Sequence, residues 1–168
     1  MSISSRHEIS ERIHLLRAGG DVGRVVLANG CFDLLHPGHV RYLQDARSRG
    51  DFLIVALNSD ASVRAIKGPG RPLMPLAERA EIVGALRCVD AVISFDEADL
   101  ATTLRALRPD VHAKGSDYTT ASVPEAAIDR ELGIEIVICG DPKNHSTSDL
   151  LRHIAREVRG RPGEDPGQ

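Results

Sequence analysis

The 168-residue chain has no tryptophan, two tyrosines and three phenylalanines, so aromatic residues make up only 3% of it. That leaves no ladder of rings on which a single-stranded nucleic acid could stack. No basic excess is present either. The formal net charge is -3, which supplies no field for a polyphosphate backbone, and no nucleic-acid partner is expected. Cysteine is limited to Cys31, Cys88 and Cys139, an odd number without short spacings. This argues against a disulfide framework and against a cysteine-based zinc site. No apolar run approaches the roughly 18 residues of a membrane span, and the residues after Met1 lack the apolar stretch of a signal peptide. A cytoplasmic chain with no membrane partner is expected. In that setting Asn144-His145-Ser146 is a chance glycosylation match.

Lysine is scarce in a more informative way. Of 21 basic residues, 18 are arginine and only Lys67, Lys114 and Lys143 are lysine. A position that stays lysine in an arginine-rich chain suits a compact, flexible point charge, as phosphate contacts often do. Chance scatter of three residues is the competing reading.

Hydrophobic residues make up 42%, enough for one domain with a real core. Residues 1–158 are expected to form it, followed by a polar, Gly- and Pro-rich, disordered tail over 159–168. Ile9, Ile13 and Leu16 recur at helical spacing, predicting a helix over 5–18. Short apolar runs over 24–28, 52–57, 90–94, 110–113 and 134–139 predict five buried strands. Helices are predicted over 37–49, 60–66, 75–86, 97–107 and 122–132. A last helix, capped by Ser146 or Thr147, is expected to reach about residue 158. Pro75 is expected at a first helical position. Strands alternating with helices imply an α/β, Rossmann-like, doubly wound five-stranded parallel sheet with helices on both faces. Ligands of such sheets bind beyond the carboxyl ends of the strands, at a switch in strand order. The loops after strands one, two, four and five are expected to carry the chemistry.

The loop after the first strand, Asn29-Gly30-Cys31-Phe32-Asp33-Leu34-Leu35-His36-Pro37-Gly38-His39, runs into a helix. A helix N-terminus attracts phosphate. His36 and His39 are three residues apart there, and Gly38 between them lets a phosphate approach the backbone. Two imidazoles with backbone N–H groups suit a phosphoryl transition state. Two close histidines could instead bind a metal, but no third ligand at suitable spacing is evident. They could also merely cap and pack. No P-loop pattern occurs.

His-x-Gly-His after a first strand resembles the signature of the nucleotidyltransferase superfamily that includes cytidylyltransferases and class I aminoacyl-tRNA synthetases. The longer string from Asn29 to Leu43 is similar to the cytidylyltransferase-like branch. Ala56-Leu-Asn-Ser-Asp60, Ile66-Lys-Gly68, Arg71-Pro72, Arg108-Pro-Asp110, Lys114-Gly-Ser-Asp-Tyr118 and His145-Ser-Thr147 extend the match. Together these strings resemble D-glycero-β-D-manno-heptose 1-phosphate adenylyltransferases over about residues 22–155. In many bacteria that activity is fused to a sugar kinase domain, and a chain of this length resembles the stand-alone transferase.

The resemblance implies that heptose 1-phosphate attacks the α-phosphorus of ATP, giving ADP-heptose and pyrophosphate. His36, His39 and Lys67 are the implied catalytic residues. Asn29, Gly30, Cys31, Phe32, Asp33 and Gly38 shape the first nucleotide-binding loop, with Asp33 either ordering it or touching substrate. Lys114, Gly115, Asp117 and Tyr118 are placed beside the nucleoside or sugar, and Ser146 and Thr147 on the leaving phosphates. Arg79 either reaches a phosphate or is salt-bridged. Mg²⁺ is the implied cofactor, carried by the triphosphate without metal-ligating side chains. A homodimer is implied on the same ground. Glycerol 3-phosphate cytidylyltransferases carry an arginine shortly before their Ser-Thr-Thr. Here Asp141-Pro-Lys-Asn-His-Ser-Thr-Ser148 has none, although Lys143 could substitute in part. A cytidylyltransferase, an FAD-synthetase-like enzyme, or a non-catalytic nucleotide-binding or sensing protein are the alternatives.

Overall fold

Residues 3–141 and 147–159 are described by the computed structural model. Ser5 opens the first helix, α1 (Arg6–Gly19), by a reciprocal capping box: its hydroxyl accepts from the Glu8 amide, and the Glu8 carboxylate accepts from the Ser5 amide. The chain then alternates β1 (Val25–Gly30), α2 (Pro37–Arg47), β2 (Phe52–Asn58), α3 (Asp60–Lys67), α4 (Leu76–Gly84), β3 (Ala91–Phe95), α5 (Ala101–Leu107), β4 (Val111–Gly115), α6 (Ala126–Leu132), β5 (Glu135–Cys139) and α7 (Thr147–Arg159). The five strands form one parallel sheet in the order β3-β2-β1-β4-β5, the α/β Rossmann-like arrangement expected from the alternation.

Alternate side chains of each strand point to opposite faces, and both faces are covered. Val26 and Ala28 of β1 pack with Leu53 and Val55 of β2 beneath Tyr42, Leu43 and Ala46 of α2 and Ala80 and Val83 of α4. Val25 and Leu27 pack on the other face with Ile54 and Ile93, beneath Ile9 and Ile13 of α1 and Leu104 and Leu107 of α5. Each fully buried aliphatic side chain of this set contributes about 1.5–3 kcal/mol.

The chain runs outward from β1 to β2 and β3, then crosses back to β4 and β5. Strand order therefore reverses between β1 and β4. Their ladder ends at Ala28 opposite Ala113, while β1 remains paired with β2 as far as Gly30 opposite Leu57. The crevice this opens is where the site lies.

Several element ends differ from expectation for local reasons. β1 runs two residues further than 28, because its ladder with β2 continues through the polar Asn29. Pro75 stands just before α4 as its N-cap rather than inside it. α5 starts at Ala101, because the Asp99 carboxylate accepts from the Ala101 amide and Glu97 is drawn to Arg6. α6 starts at Ala126 rather than 122, since Pro124 disfavours helical backbone before it. Thr147 opens α7, whereas Ser146 and Lys143 lie outside the described residues, as does the tail beyond Arg159.

Gly133 and Gly140 both have left-handed backbones, at φ 71° and 87°. A Cβ on Gly133 would meet nothing within 4 Å, but one on Gly140 would lie 3.2 Å from the Tyr42 Cα. Gly133→Ala should cost about 1 kcal/mol for backbone conformation alone. Gly140→Ala should cost at least about 1 kcal/mol more, because α2 must move away. Urea unfolding midpoints of the two variants test this, and equal losses would contradict the close approach at Gly140.

Candidate active site

A cleft of about 380 Å³ opens at the carboxyl ends of the strands. Asn29, Gly30, Cys31, Phe32 and Asp33 form one wall, and Lys114, Gly115, Asp117 and Tyr118 form the opposite wall across the β1–β4 switch. Lys67 at the end of α3, His39 in the first turn of α2 and Thr147 at the start of α7 complete it. The site is thus assembled from residues distributed over most of the chain. The end of β3 contributes Phe95, and the loop after it Ala98 and Asp99. That loop was not among those expected to carry chemistry, and its short polar run offered no motif by which to find it.

The first loop is tightly bent. Phe32 takes a left-handed backbone, φ 46°, a conformation a bulky residue adopts only where its surroundings enforce it. Its ring lies over Gly30, where an added Cβ would come within 2.9 Å of it. The same ring sits 5.0 Å from the His39 imidazole and 6.3 Å from Tyr42. Tyr42 is anchored in turn by its hydroxyl, which donates to the Ala113 carbonyl at 2.8 Å. Asp33 lies on the cleft wall with its carboxylate fully engaged. Its carboxylate accepts from the Leu73 amide at 2.6 Å and the Met74 amide at 3.1 Å, and it pairs with Arg71. Burial alone would raise its proton affinity. The Arg71 guanidinium and the two amides overcome that and hold the carboxyl below its ordinary range. Asp33 therefore orders the loop.

His36 is the N-cap of α2 and Pro37 its first residue. The His36 and His39 rings stack with centroids 3.8 Å apart and planes inclined by 23°. His39 lines the cleft and His36 stacks on it. Gly38, in the same helical turn, is half-buried. Burial pushes the His39 imidazole down to about 4, helped by His36 and Lys67 and opposed by a hydrogen bond to the Leu34 backbone. At neutral pH His39 is therefore an uncharged ring on the wall of a space that can accept a phosphate. Lys67 is exposed on the cleft wall, close enough for its charge to act on both His39 and Cys31. Burial raises the Cys31 thiol above its ordinary value despite Lys67 and Arg79, so the thiol stays protonated and unreactive.

Thr147 lies half-buried at the start of α7, its hydroxyl 3.5 Å from the Leu34 carbonyl. That contact brings the start of α7 beside the first loop. Arg79 does not reach the cleft. Its side chain is fully buried and pairs with Asp60 at 2.7 Å, and it donates to the carbonyls of Cys31 at 2.7 Å and Met74 at 3.0 Å. Its guanidinium is spent tying the first loop to α3 and α4, which removes it as a phosphate ligand.

Lys114 was expected beside the nucleoside or sugar. It is nearly buried, donating to the Glu125 carboxylate at 3.1 Å and to Asn29 Oδ1 at 3.2 Å, with the Tyr118 ring 4.9 Å from its ammonium. Glu125 went unnoticed in the sequence because it stands 11 residues away with no local pattern. His112 and Asp129 were missed for the same reason. Among the described residues no group of three or more His, Cys, Asp or Glu is gathered to hold a metal ion, and no helix is long and apolar enough to cross a membrane.

The depressed His39 has a measurable consequence. Unfolded, His39 binds its proton near 6.5; folded, near 4. Between those values the unfolded state holds more protons, so stability falls as pH is lowered from 6.5 toward 4. By pH 4.5 the loss is on the order of 2 kcal/mol. Urea unfolding should therefore show a steeper decline with falling pH for the wild type than for His39→Gln. Parallel declines would contradict the buried neutral ring.

The model of a family described as cytidylyltransferase-like matches residues 27–154. A bifunctional protein HldE from Streptomyces coelicolor is 50% identical over 143 residues, which cover 85% of this chain and 31% of that protein. One from Pelobacter propionicus is 44% identical over 158 residues, covering 90% and 31%. The chain thus spans less than a third of the length of these curated relatives. Among solved structures, a lipopolysaccharide core biosynthesis protein from Thermoplasma volcanium superposes with a TM-score of 0.62 at 30% identity, covering 71% of this chain and 98% of that one. With the switch-point cleft and its paired histidines, these matches identify the chain as a nucleotidyltransferase that belongs to the cytidylyltransferase-like family.

Proposed function

We propose that the chain transfers the AMP moiety of ATP to a sugar 1-phosphate, D-glycero-β-D-manno-heptose 1-phosphate, releasing pyrophosphate. The observation that carries this reading is the stacked His36–His39 pair on the cleft, with neutral His39 beside Lys67 and facing Asn29 and Lys114. The heptose rests on the strings shared with heptose 1-phosphate adenylyltransferases. The 44–50% identity to proteins named HldE supports it.

In this reaction an oxygen of the sugar phosphate forms a bond to the α-phosphorus, and the bond from that phosphorus to the α–β bridging oxygen breaks. The nucleophile is already ionised, so no protein base is required. Catalysis consists of alignment and charge neutralisation. His39 faces the oxygens of the phosphorus under attack. As charge builds there, the ring gains the proton affinity that burial lowers, and its N–H meets that charge. His36 holds the ring by stacking. Lys67 meets the α- or β-phosphate from the exposed wall, and the Thr147 hydroxyl meets the leaving phosphates at the N-terminus of α7. Asp33 is engaged with Arg71 and two amides. Mg²⁺ would come with the nucleotide and would supply charge neutralisation on its phosphates.

Pyrophosphate release should occur with heptose 1-phosphate, Mg²⁺ and ATP. Release only with CTP would replace the adenylyl reading by a cytidylyl one. No release with any of the four nucleoside triphosphates would favour a nucleotide-binding protein without catalysis. His39→Ala should lower turnover about 10²-fold or more while keeping the wild-type circular dichroism spectrum. Near-wild-type turnover would remove its assigned role.

A further inference from the structure

Beneath the cleft, two polar groups to which the reaction above gives no role, His112 and Asp129, join a chain that reaches the cleft wall. His112 on β4 is fully buried, and its Nδ1 faces the Asp129 carboxylate of α6 at 2.9 and 3.1 Å. Asp129 is equally buried. The pair is not closed on itself. His112 Nε2 reaches Asn29 Oδ1 at 3.4 Å, and the same oxygen accepts from Lys114 Nζ at 3.2 Å. Lys114 also pairs with Glu125, whose other oxygen accepts from the Leu100 amide. The chain therefore runs Asp129, His112, Asn29, Lys114, Glu125, from the α6 side of the sheet to the cleft wall.

The donor and acceptor roles follow from chemistry. An ammonium can only donate, so the Asn29 atom facing Lys114 is the oxygen. His112 Nδ1 faces the Asp129 carboxylate and donates to it, which fixes the ring, and its Nε2 lies 3.4 Å from the same amide oxygen. An exposed asparagine amide can turn over with little penalty, but this one cannot. With Oδ1 committed inward, the group Asn29 offers the cleft is its NH₂, a donor suited to a phosphate or hydroxyl oxygen.

We propose that His112 and Asp129 are positioning residues: through the Asn29 amide they fix which face of Asn29, and which position of the Lys114 ammonium, the nucleotide meets. Neither touches substrate. Replacing both members of a buried polar pair by apolar residues is often tolerated, whereas removing one is not, which makes the role separable from folding. The assignment of the ligand as a nucleotide rests on the function proposed above.

The test replaces the pair by apolar residues, His112→Leu with Asp129→Leu, alone and together with Asn29→Ala. Thermal unfolding should show a folded protein. KM for ATP should rise about tenfold with kcat changed less. In the Asn29→Ala background the same replacement should add no more than a twofold loss, because its effect passes through Asn29. Asp129→Asn serves if the double leucine variant does not fold, and should show the same non-additivity. Wild-type-like KM, or losses that multiply with those of Asn29→Ala, would overturn the proposal. A second readout needs no turnover. In the ligand-free ¹⁵N-labelled protein the two Asn29 side-chain amide proton signals, set by the oxygen held inward, should shift in the variant. Unchanged Asn29 signals would also overturn it. If the wild type turned over no sugar 1-phosphate, the functional reading would fail while the amide spectrum still decided the positioning role.

Discussion

β1 and β4 part company after Ala28 and Ala113, and the site depends on that divergence. Up to those residues the strands share a ladder, so their backbone groups are satisfied by each other. Beyond them, Asn29 and Lys114 still project from neighbouring strands but meet through side chains. A parallel sheet whose order reverses at this point has a crevice there by construction. Every other part of the cleft is arranged around it. The first loop bends over Gly30, α2 begins beneath that loop, and α7 reaches back to the Leu34 carbonyl.

The two lysines of the cleft show how burial divides labour among like charges. Lys67 is exposed on its wall and can move to meet a phosphate. Lys114 is nearly buried, so its charge is balanced by Glu125 and its position is set by Asn29. His39 takes a third course. It is deep enough to be kept neutral, yet it lines the cleft. A neutral donor costs little to keep in an empty cleft and gains strength when negative charge arrives. The arginines mostly serve structure. Arg79 and Arg71 tie the first loop to the segments that follow β2, through the Cys31 carbonyl and the Asp33 carboxylate respectively.

Much of this was legible because it is local. Short apolar runs marked all five strands, and a helix starting at Pro37 placed His36 and His39 at its N-terminus. The Lys67 and Lys114 positions stood out against an arginine background. What was not legible depends on contacts between distant residues. Nothing around Arg79 distinguishes a phosphate ligand from a buried tie, since both need an arginine one turn into a helix. Glu125 and Asp129 belong to no motif within the helix predicted over 122–132. Their burial follows from how α6 lies against β4, and only the fold brings them to Lys114 and His112. The contribution of the loop after β3 was hidden similarly, because Ala98 and Asp99 belong to no motif, although Ser94-Phe95 before them is one of the strings that carry the resemblance.

The central claim is that the bond formed in the cleft is to the α-phosphorus of a nucleotide. ATP labelled with ³²P at the α-phosphorus, incubated with Mg²⁺ and heptose 1-phosphate, tests it most directly. The account predicts that the label passes into a nucleoside diphosphate sugar while the pyrophosphate released is unlabelled. Label remaining in ADP, with the γ-phosphate transferred to the sugar, would contradict it.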